Sequence, residues 1–371
     1  MPSTWENLSD PIFDHARLRP DALALVEGDR SVTYRELANR IAKASVHFHE
    51  LGVKPGDLVA LAMSSNIEHV ALSFGLMRMG GVPLDLPPRP PARAIVNPVK
   101  LFKVSRLVRE TNAITAPTGI QVHELDSDWQ TKLAAQTGDH RIVRDADDVH
   151  NFSMTSGSTG ISKGVMTTRR QWLARFDTAL KLFPDVFSSE RPANLLIIGG
   201  MGFSAFFFFL ANQLFVGGPV VLMTDNHKPD YLRDQINRWE DAVSLITPPL
   251  ARQFLADAGE AGPIFPKLRA LFIGAAPLYP EEKAAVLKKL TPNLREVYGS
   301  AACGFISTLS AGEVAAHGDS VGRPAPGLEV EVVDAERKPV PAGQPGHLRC
   351  RGAGISQGFY GETPGTPEKP E

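Results

Sequence analysis

The feature that most constrains the fold of this chain is a repeated exchange of short apolar runs and helix-period segments, sustained from Ala22 to Tyr298. Residues 22–26 form an apolar run that ends in a Gly28–Asp29 turn, and residues 31–34 resume extended. Thr33 and Glu36 are spaced as a capping box, with the hydroxyl on one orphan N–H and the carboxylate reaching back. Leu37, Ile41 and Ala44 follow at helical spacing, and Gly52 stands where a C-terminal cap belongs. Residues 57–63 read as a buried strand, 67–79 as a helix and 81–86 as a strand. The same rhythm predicts helices over 99–110, 171–182, 231–239, 250–258 and 281–290. It predicts strands over 113–116, 195–198, 220–223, 243–246, 268–273 and 294–298. Strands separated by helices of this length form a parallel, doubly wound α/β sheet. There are too many for one small sheet, so two packed α/β subdomains are expected.

The texture changes from about Ser320. Residues 328–333 and 347–351 alternate apolar and polar, with Gly and Pro punctuating every few positions, which predicts a small antiparallel β unit. The expected organisation is therefore 1–319 as paired α/β subdomains, 320–360 as the β unit, and 361–371 as a flexible tail. Pro87, Pro88, Pro90 and Pro91 forbid a regular element there and mark a surface connection. At 371 residues, 43% hydrophobic and 22% charged, the chain can bury a large core without staples. Its net charge of −2 gives no electrostatic reason for nucleic acid or an anionic membrane as partner. Two cysteines, Cys303 and Cys350, exclude a disulfide framework and a zinc site of clustered thiolates, and read as free thiols in a cytoplasmic setting. Residues 1–10 are unlike a signal peptide. The most apolar stretch, 195–223, is broken by Gly199–Gly200, Asn212–Gln213 and Gly217–Gly218, so it reads as a buried strand, helix and strand rather than a membrane span.

The sharpest chemical signal begins at Phe152. An apolar start runs into the hydroxyls of Thr155, Ser156, Ser158 and Thr159, the glycines Gly157 and Gly160, and then Lys163. Glycine lets backbone N–H groups approach an anion, hydroxyls add donors at little volume, and lysine supplies a point charge. The spacing is not that of a Walker A loop, because Lys163 is followed by Gly164 rather than Ser or Thr. A flexible linker would need neither the buried strand before it nor the single placed lysine.

The string from Thr155 to Gly164 closely resembles the signature loop of the adenylate-forming superfamily, which includes acyl-CoA synthetases, peptide-synthetase adenylation domains and luciferases. Its consensus is roughly [YF]TSGSTGxPKG, with Ser162 here in place of the usual proline. Gly274, Ala275, Ala276, Pro277 and Leu278 resemble the GGAPL adenine-binding segment. Tyr298, Gly299 and Ser300 resemble the start of YGxTE, whose ring stacks on adenine, and Ala301 takes the place of its threonine. The Ser320–Pro324 string resembles GSVGxP. Gly346-His347-Leu348 and Gly358-Phe359-Tyr360 resemble the GEL and GY stretch. The resemblance covers about residues 10–360. It implies ATP-dependent activation of a carboxylic acid to an acyl-adenylate, with CoA or a carrier-protein thiol as acceptor and ATP/AMP and Mg2+ at the site.

Two departures matter. The family glutamate that binds magnesium is replaced by Ala302, and no Asp or Glu lies between Glu296 and Glu313, so the resemblance implies at most a weak or altered metal site. The family's next motif, a TGD sequence, and the C-terminal domain with its catalytic lysine would lie beyond Glu371. The chain thus reads as a nucleotide- and acid-binding part, with a non-catalytic binding protein on the same fold as the alternative. For the acid, amino-acid-activating members carry an FDxS pattern. Here it reads Phe203, Ser204, Ala205, Phe206, so the Asp that pairs with the substrate ammonium is missing. An unpaired buried ammonium is costly, which disfavours an α-amino acid. Phe203 and residues 206–209 suggest an apolar pocket wall or an ordinary core helix. His317 reads as a surface or turn residue.

Overall fold

The computed structural model describes residues 5–88, 99, 101–110, 118–154, 163–223, 228–259, 262–356 and 358–360. Helix α1 (Asp10–Leu18) leads into the hairpin β1 (Leu23–Glu27) and β2 (Arg30–Thr33), then α2 (Tyr34–Glu50), β3 (Leu58–Ala62), α3 (Ile67–Arg78) and β4 (Val82–Leu86). β5 (Arg106–Arg109), β6 (Gln121–Glu124), α4 (Ser127–Ala135), β7 (Val149–Met154), β8 (Gly164–Thr168) and α5 (Arg169–Leu182) follow. Next come β9 (Asn194–Ile197), α6 (Ser204–Phe215), β10 (Val220–Leu222), α7 (Pro229–Arg238), β11 (Ala242–Ile246), α8 (Pro248–Asp257), β12 (Ala270–Gly274), α9 (Pro280–Lys289) and β13 (Leu294–Ser300). β14 (Gly304–Ser310), α10 (Val314–His317), β15 (Arg323–Pro324), β16 (Glu329–Val333) and β17 (His347–Arg351) complete the described chain.

One sheet has nine strands in the order β15-β14-β13-β12-β11-β9-β10-β1-β2, and a second has six in the order β6-β5-β3-β4-β7-β8. Each is parallel through its middle and closes on antiparallel edges such as β1–β2, β13–β14 and β7–β8. Helices α2 and α3 lie between the sheets. Val70, Phe74 and Met77 pack with Leu25, Leu195 and Ile197 of the larger sheet, while Phe48, Leu72 and Leu76 pack with Val59 and Leu61 of the smaller. This sandwiching explains why α3 is apolar on all sides and buries every residue except Glu68. The outer face of the larger sheet is covered by α7, α8 and α9 through Leu232, Phe254 and Val286. The outcome is the expected pair of doubly wound α/β layers, with the β16–β17 hairpin as a separate two-stranded sheet.

Local chemistry set many of these boundaries. Glu36 N donates to Thr33 Oγ1 at 3.3 Å and Thr33 N donates to Glu36 Oε2 at 2.8 Å, so the capping box that starts α2 is formed. The 195–223 stretch is strand, helix and strand, as its glycine breaks predict. Among the described residues no helix is long and apolar enough to cross a membrane.

One segment corrects the reading. Residues 99–110 are not one helix: Val99 and Leu101 are helical, but Lys103 turns left-handed at φ 51°, and Arg106–Arg109 runs parallel to β3 with Arg106 opposite Val59. The physical reason is burial on two sides. Adjacent Leu107 and Val108 are both fully buried, in different cores on opposite faces of the sheet, as the period of a strand requires. The predicted strand at 113–116, residues 89–91 of the proline-rich connection and the tail from 361 lie outside the described residues.

Candidate active site

The carboxyl ends of β11, β12 and β13 meet the start of α6 and the middle of α5 around one partly open cavity. The segment after β12 contributes Gly274 and Ala275, and the end of β13 contributes Gly299, Ser300 and Ala301. Phe203, Ser204 and Phe206 stand on the other side, with Asn151, Ser153, Trp172, Arg175 and Phe305 between. The structure thus brings Gly274, Ala275, Gly299, Ser300 and Ala301 of the candidate nucleotide residues onto one cavity with the candidate acid residues, although the two groups lie about seventy to a hundred residues apart in sequence. A crevice at the carboxyl ends of parallel strands is where doubly wound proteins take their ligands.

Close backbone approach explains the small residues. A Cβ at Gly274 would lie 2.5 Å from Val297 O, and one at Gly299 would lie 2.2 Å from Gly304 O. Ala275 takes φ +73°, a left-handed conformation held by a residue with a Cβ, which is backbone strain located at the cavity edge. Ala276 and Pro277 are exposed and do not line the cavity. Tyr298 is 42% exposed, on β13 beside the bulge at Gly299, and also stands outside the lining. Lys163 immediately precedes β8, and its Nζ lies 4.9 Å from the centre of the Phe359 ring. Tyr360 N donates to Gly164 O at 2.7 Å, so the Gly358–Tyr360 stretch returns to the strand after the signature loop. Thr155, Ser156, Gly157, Ser158, Thr159 and Gly160 lie outside the described residues.

The acid side is both pocket wall and core. Phe206, Phe208 and Phe209 all line the cavity yet are 8%, 9% and 1% exposed. Phe209 meets Phe272 edge-on at 5.0 Å and Phe305 at 5.7 Å, while Trp172 meets Phe208 at 5.5 Å. Edge-to-face rings of this kind fix the wall. His317 is exposed at the end of α10.

Magnesium takes oxygen ligands, several of them carboxylates where the protein supplies the site. Ala301 and Ala302 offer carbonyls only, and these already accept from Arg175 Nη1 at 3.0 Å and Nη2 at 2.7 Å. Glu296 is committed elsewhere, paired with the buried Lys283 at 2.6 Å. Among the described residues no group of three or more His, Cys, Asp or Glu could hold a metal ion. The described residues lining the cavity therefore offer magnesium no carboxylate.

Arg175 is the lining residue that the sequence reading missed. Its signal was available: Trp172, Phe176 and Ala179 form a buried stripe along α5, and an arginine lies within it. Asn151, Ser153 and Phe305 carry no comparable signal, because they reach the cavity only through the pairing of β7 and β14 with their neighbours.

This chain belongs to the AMP-binding enzyme family, whose profile matches residues 12–360. It is 28% identical over 382 residues to the salicyl-AMP ligase / salicyl-S-ArCP synthetase of Mycobacterium tuberculosis (strain ATCC 25618 / H37Rv), covering 95% of this chain and 66% of that protein. It is 24% identical over 378 residues to the polyketide synthase PksN of Bacillus subtilis (strain 168), covering 96% of this chain and 7% of that protein. The chain thus spans less than two thirds of the length of these curated relatives. ATP-bound MatB from Rhodopseudomonas palustris shares the fold, with a TM-score of 0.83 and 23% identity over 96% of this chain and 72% of that one.

Proposed function

We propose that the chain is the nucleotide- and acid-binding part of an adenylate-forming ligase. In this reading a carboxylate oxygen of the acid attacks the α-phosphorus of ATP, the bond to pyrophosphate breaks, and a mixed acyl–AMP anhydride remains for transfer to a thiol. CoA is the acceptor favoured by the resemblance, and a carrier-protein thiol is the other candidate. The observation that carries the reading is the single cavity shared by the Gly274–Ala275 and Gly299–Ala301 segments and by Phe203, Ser204 and Phe206. Such a reaction needs two reactants held in contact, and effective concentration supplies much of the rate.

The roles follow the motifs that the chain shares with the family. Gly274, Ala275, Ala276, Pro277, Tyr298 and Gly299 form the adenine shelf. Thr155 to Gly160 and Lys163 hold phosphate oxygens, and Ser300 and Ala301 complete the nucleotide-binding set. Phe203, Ser204 and Phe206 enclose the acid. The division at residue 319 between the α/β body and the small β unit belongs to the same reading. ATP or AMP binding to N but not U raises the melting temperature by mass action. A rise with ATP, AMP or a non-hydrolysable acyl-adenylate analogue is therefore expected. No shift with any of the three at millimolar concentration overturns the proposal.

The lack of metal-binding side chains at Ala301 and Ala302 favours a second reading, a protein that binds nucleotide or acyl group without catalysis. Pyrophosphate release across a panel of acids separates the two. Release with any acid rules out the second reading, and nucleotide binding with no release by the whole protein supports it.

A further inference from the structure

Cys303 and Cys350 are the two cysteines of the chain, one in the turn between β13 and β14 and the other on β17. Those segments belong to different sheets, since β13 and β14 lie in the nine-stranded sheet and β17 pairs with β16. The fold nevertheless brings the two side chains into hydrogen-bond contact, thiol against thiol. Both are partly exposed and both are free.

The backbone on either side of the pair is stapled together. The buried Arg175 spends its head on carbonyls and pairs with no carboxylate among the described residues. Nη1 donates to Ala301 O at 3.0 Å, Nη2 to Ala302 O at 2.7 Å and Nε to Gly354 O at 2.6 Å. Ser356 N donates to Ala302 O at 2.8 Å, and Cys303 N donates to Ser300 Oγ at 3.1 Å. One guanidinium thus ties the residues before Cys303 to those after Cys350. A Cβ at Gly354 would lie 2.8 Å from Arg175 Cγ, so glycine lets the segment after β17 lie close against α5. Backbone that already holds two thiols together is what a bridge needs, because a bridge that must move backbone stores strain.

The two sulfurs are not equivalent. Cys303 lines a second, partly open cavity with Thr178, Lys181, Leu328 and Gly352, and stands within electrostatic reach of the Arg175 guanidinium. Cys350 is outside that lining, and burial pushes its thiol up, with Cys303 beside it pushing the same way.

We propose that Cys303 and Cys350 are a modification site, at which exchange with a small-molecule disulfide joins them in a reversible bridge that clamps β17 to the β13–β14 turn. The thiolate is the attacking form in such exchange. Cys303 Sγ attacks one sulfur of the small disulfide, its S–S bond breaks, and one small thiolate leaves. Cys350 Sγ then attacks Cys303 Sγ of the mixed disulfide, and the second small thiolate leaves. The two protons given up by the cysteines go to the two released thiolates, so two protein thiols are oxidised and one disulfide is reduced. The bridge closes a loop of about fifty residues in the unfolded chain. It joins the β16–β17 unit to the turn that carries Ala301 of the first cavity. Neither thiol takes part in the adenylate-forming reading, so the two stand or fall separately.

The test incubates the native 371-residue protein with excess glutathione disulfide and blocks the remaining thiols with N-ethylmaleimide. Mass, peptide map and melting temperature are then read before and after dithiothreitol. Wild type should lose two hydrogens, yield a peptide joining Cys303 to Cys350 within one chain, and melt about 5 °C higher. Dithiothreitol should reverse all three changes. Cys350→Ser should hold one glutathione on Cys303 and show no rise, whereas Cys303→Ser should remain mostly a free thiol. Two free thiols in wild type, two glutathione adducts, or a bridge between chains overturns the proposal. A bridge that leaves the melting temperature unchanged or lowers it overturns the clamp. An adduct on Cys350 in Cys303→Ser, with none on Cys303 in Cys350→Ser, overturns the assignment of Cys303 as the attacking thiol. The wild-type peptide map decides the bridge if either variant fails to fold.

Discussion

Ala275 holds a backbone conformation that costs an L-residue roughly 1–2 kcal/mol and glycine almost nothing. Glycine would also gain freedom in the unfolded chain, which offsets about half of the relief. The Ala275→Gly variant should therefore be more stable by about 0.5–1 kcal/mol, read as a higher urea midpoint with unchanged slope. A lower midpoint would mean that the alanine methyl makes packing contacts worth more than the strain. The motif string pointed to this position, but the sign of φ is a property of the folded loop. Arg175 gives the converse case. Its place in an apolar stripe was legible, but its lack of a carboxylate partner was not, because that depends on which loops the fold brings to it.

At the scale of elements, α2 and α3 show why spacing reads well and contact distance does not. Gly75 lies mid-helix, where propensity alone favours alanine by about 1 kcal/mol. A Cβ there would sit 2.5 Å from Ala44 Cβ and 3.2 Å from Ile41 O, with a rigid helix on the far side. Overpacking of this kind typically costs about 1–3 kcal/mol, so it outweighs the propensity gain. Gly75→Ala should lower the thermal midpoint, while an exposed glycine with open space and negative φ, such as Gly259, should tolerate alanine. A melting temperature at or above wild type for Gly75→Ala would show that the helices can move apart freely. The 99–110 segment failed for a related reason. Leu107 and Val108 are adjacent apolar residues compatible with either period, and only the neighbouring β3 edge selects the strand.

For the whole molecule, several buried histidines set the response to acid. Burial holds the His150 imidazole near 4, well below its ordinary 6.5, and the same cause lowers His15, His47 and His123. Between those values the unfolded chain binds a proton that the folded chain refuses, so stability falls as pH drops through this window and is flat above it. His150 alone accounts for on the order of 3 kcal/mol between neutral pH and pH 4. Urea midpoints measured across that range should decline, and His150→Gln should flatten part of the slope. A midpoint that holds constant down to pH 4 would place these rings in wet surroundings.

The order of strands and helices, the capping box of α2, the glycine-rich loop and the aromatic start of α6 were all set by local chemistry, and local chemistry can be read from residue types and their spacing. The partners of each strand were not local. β14 pairs with β13, β5 with β3, and Phe305 arrives beside Phe208 only because those pairings exist. The cavity and its unpaired cation belong to this second kind of fact. A charge is costly or useful according to what lies within a few ångströms of it, and that neighbourhood is assembled from segments that are far apart along the chain.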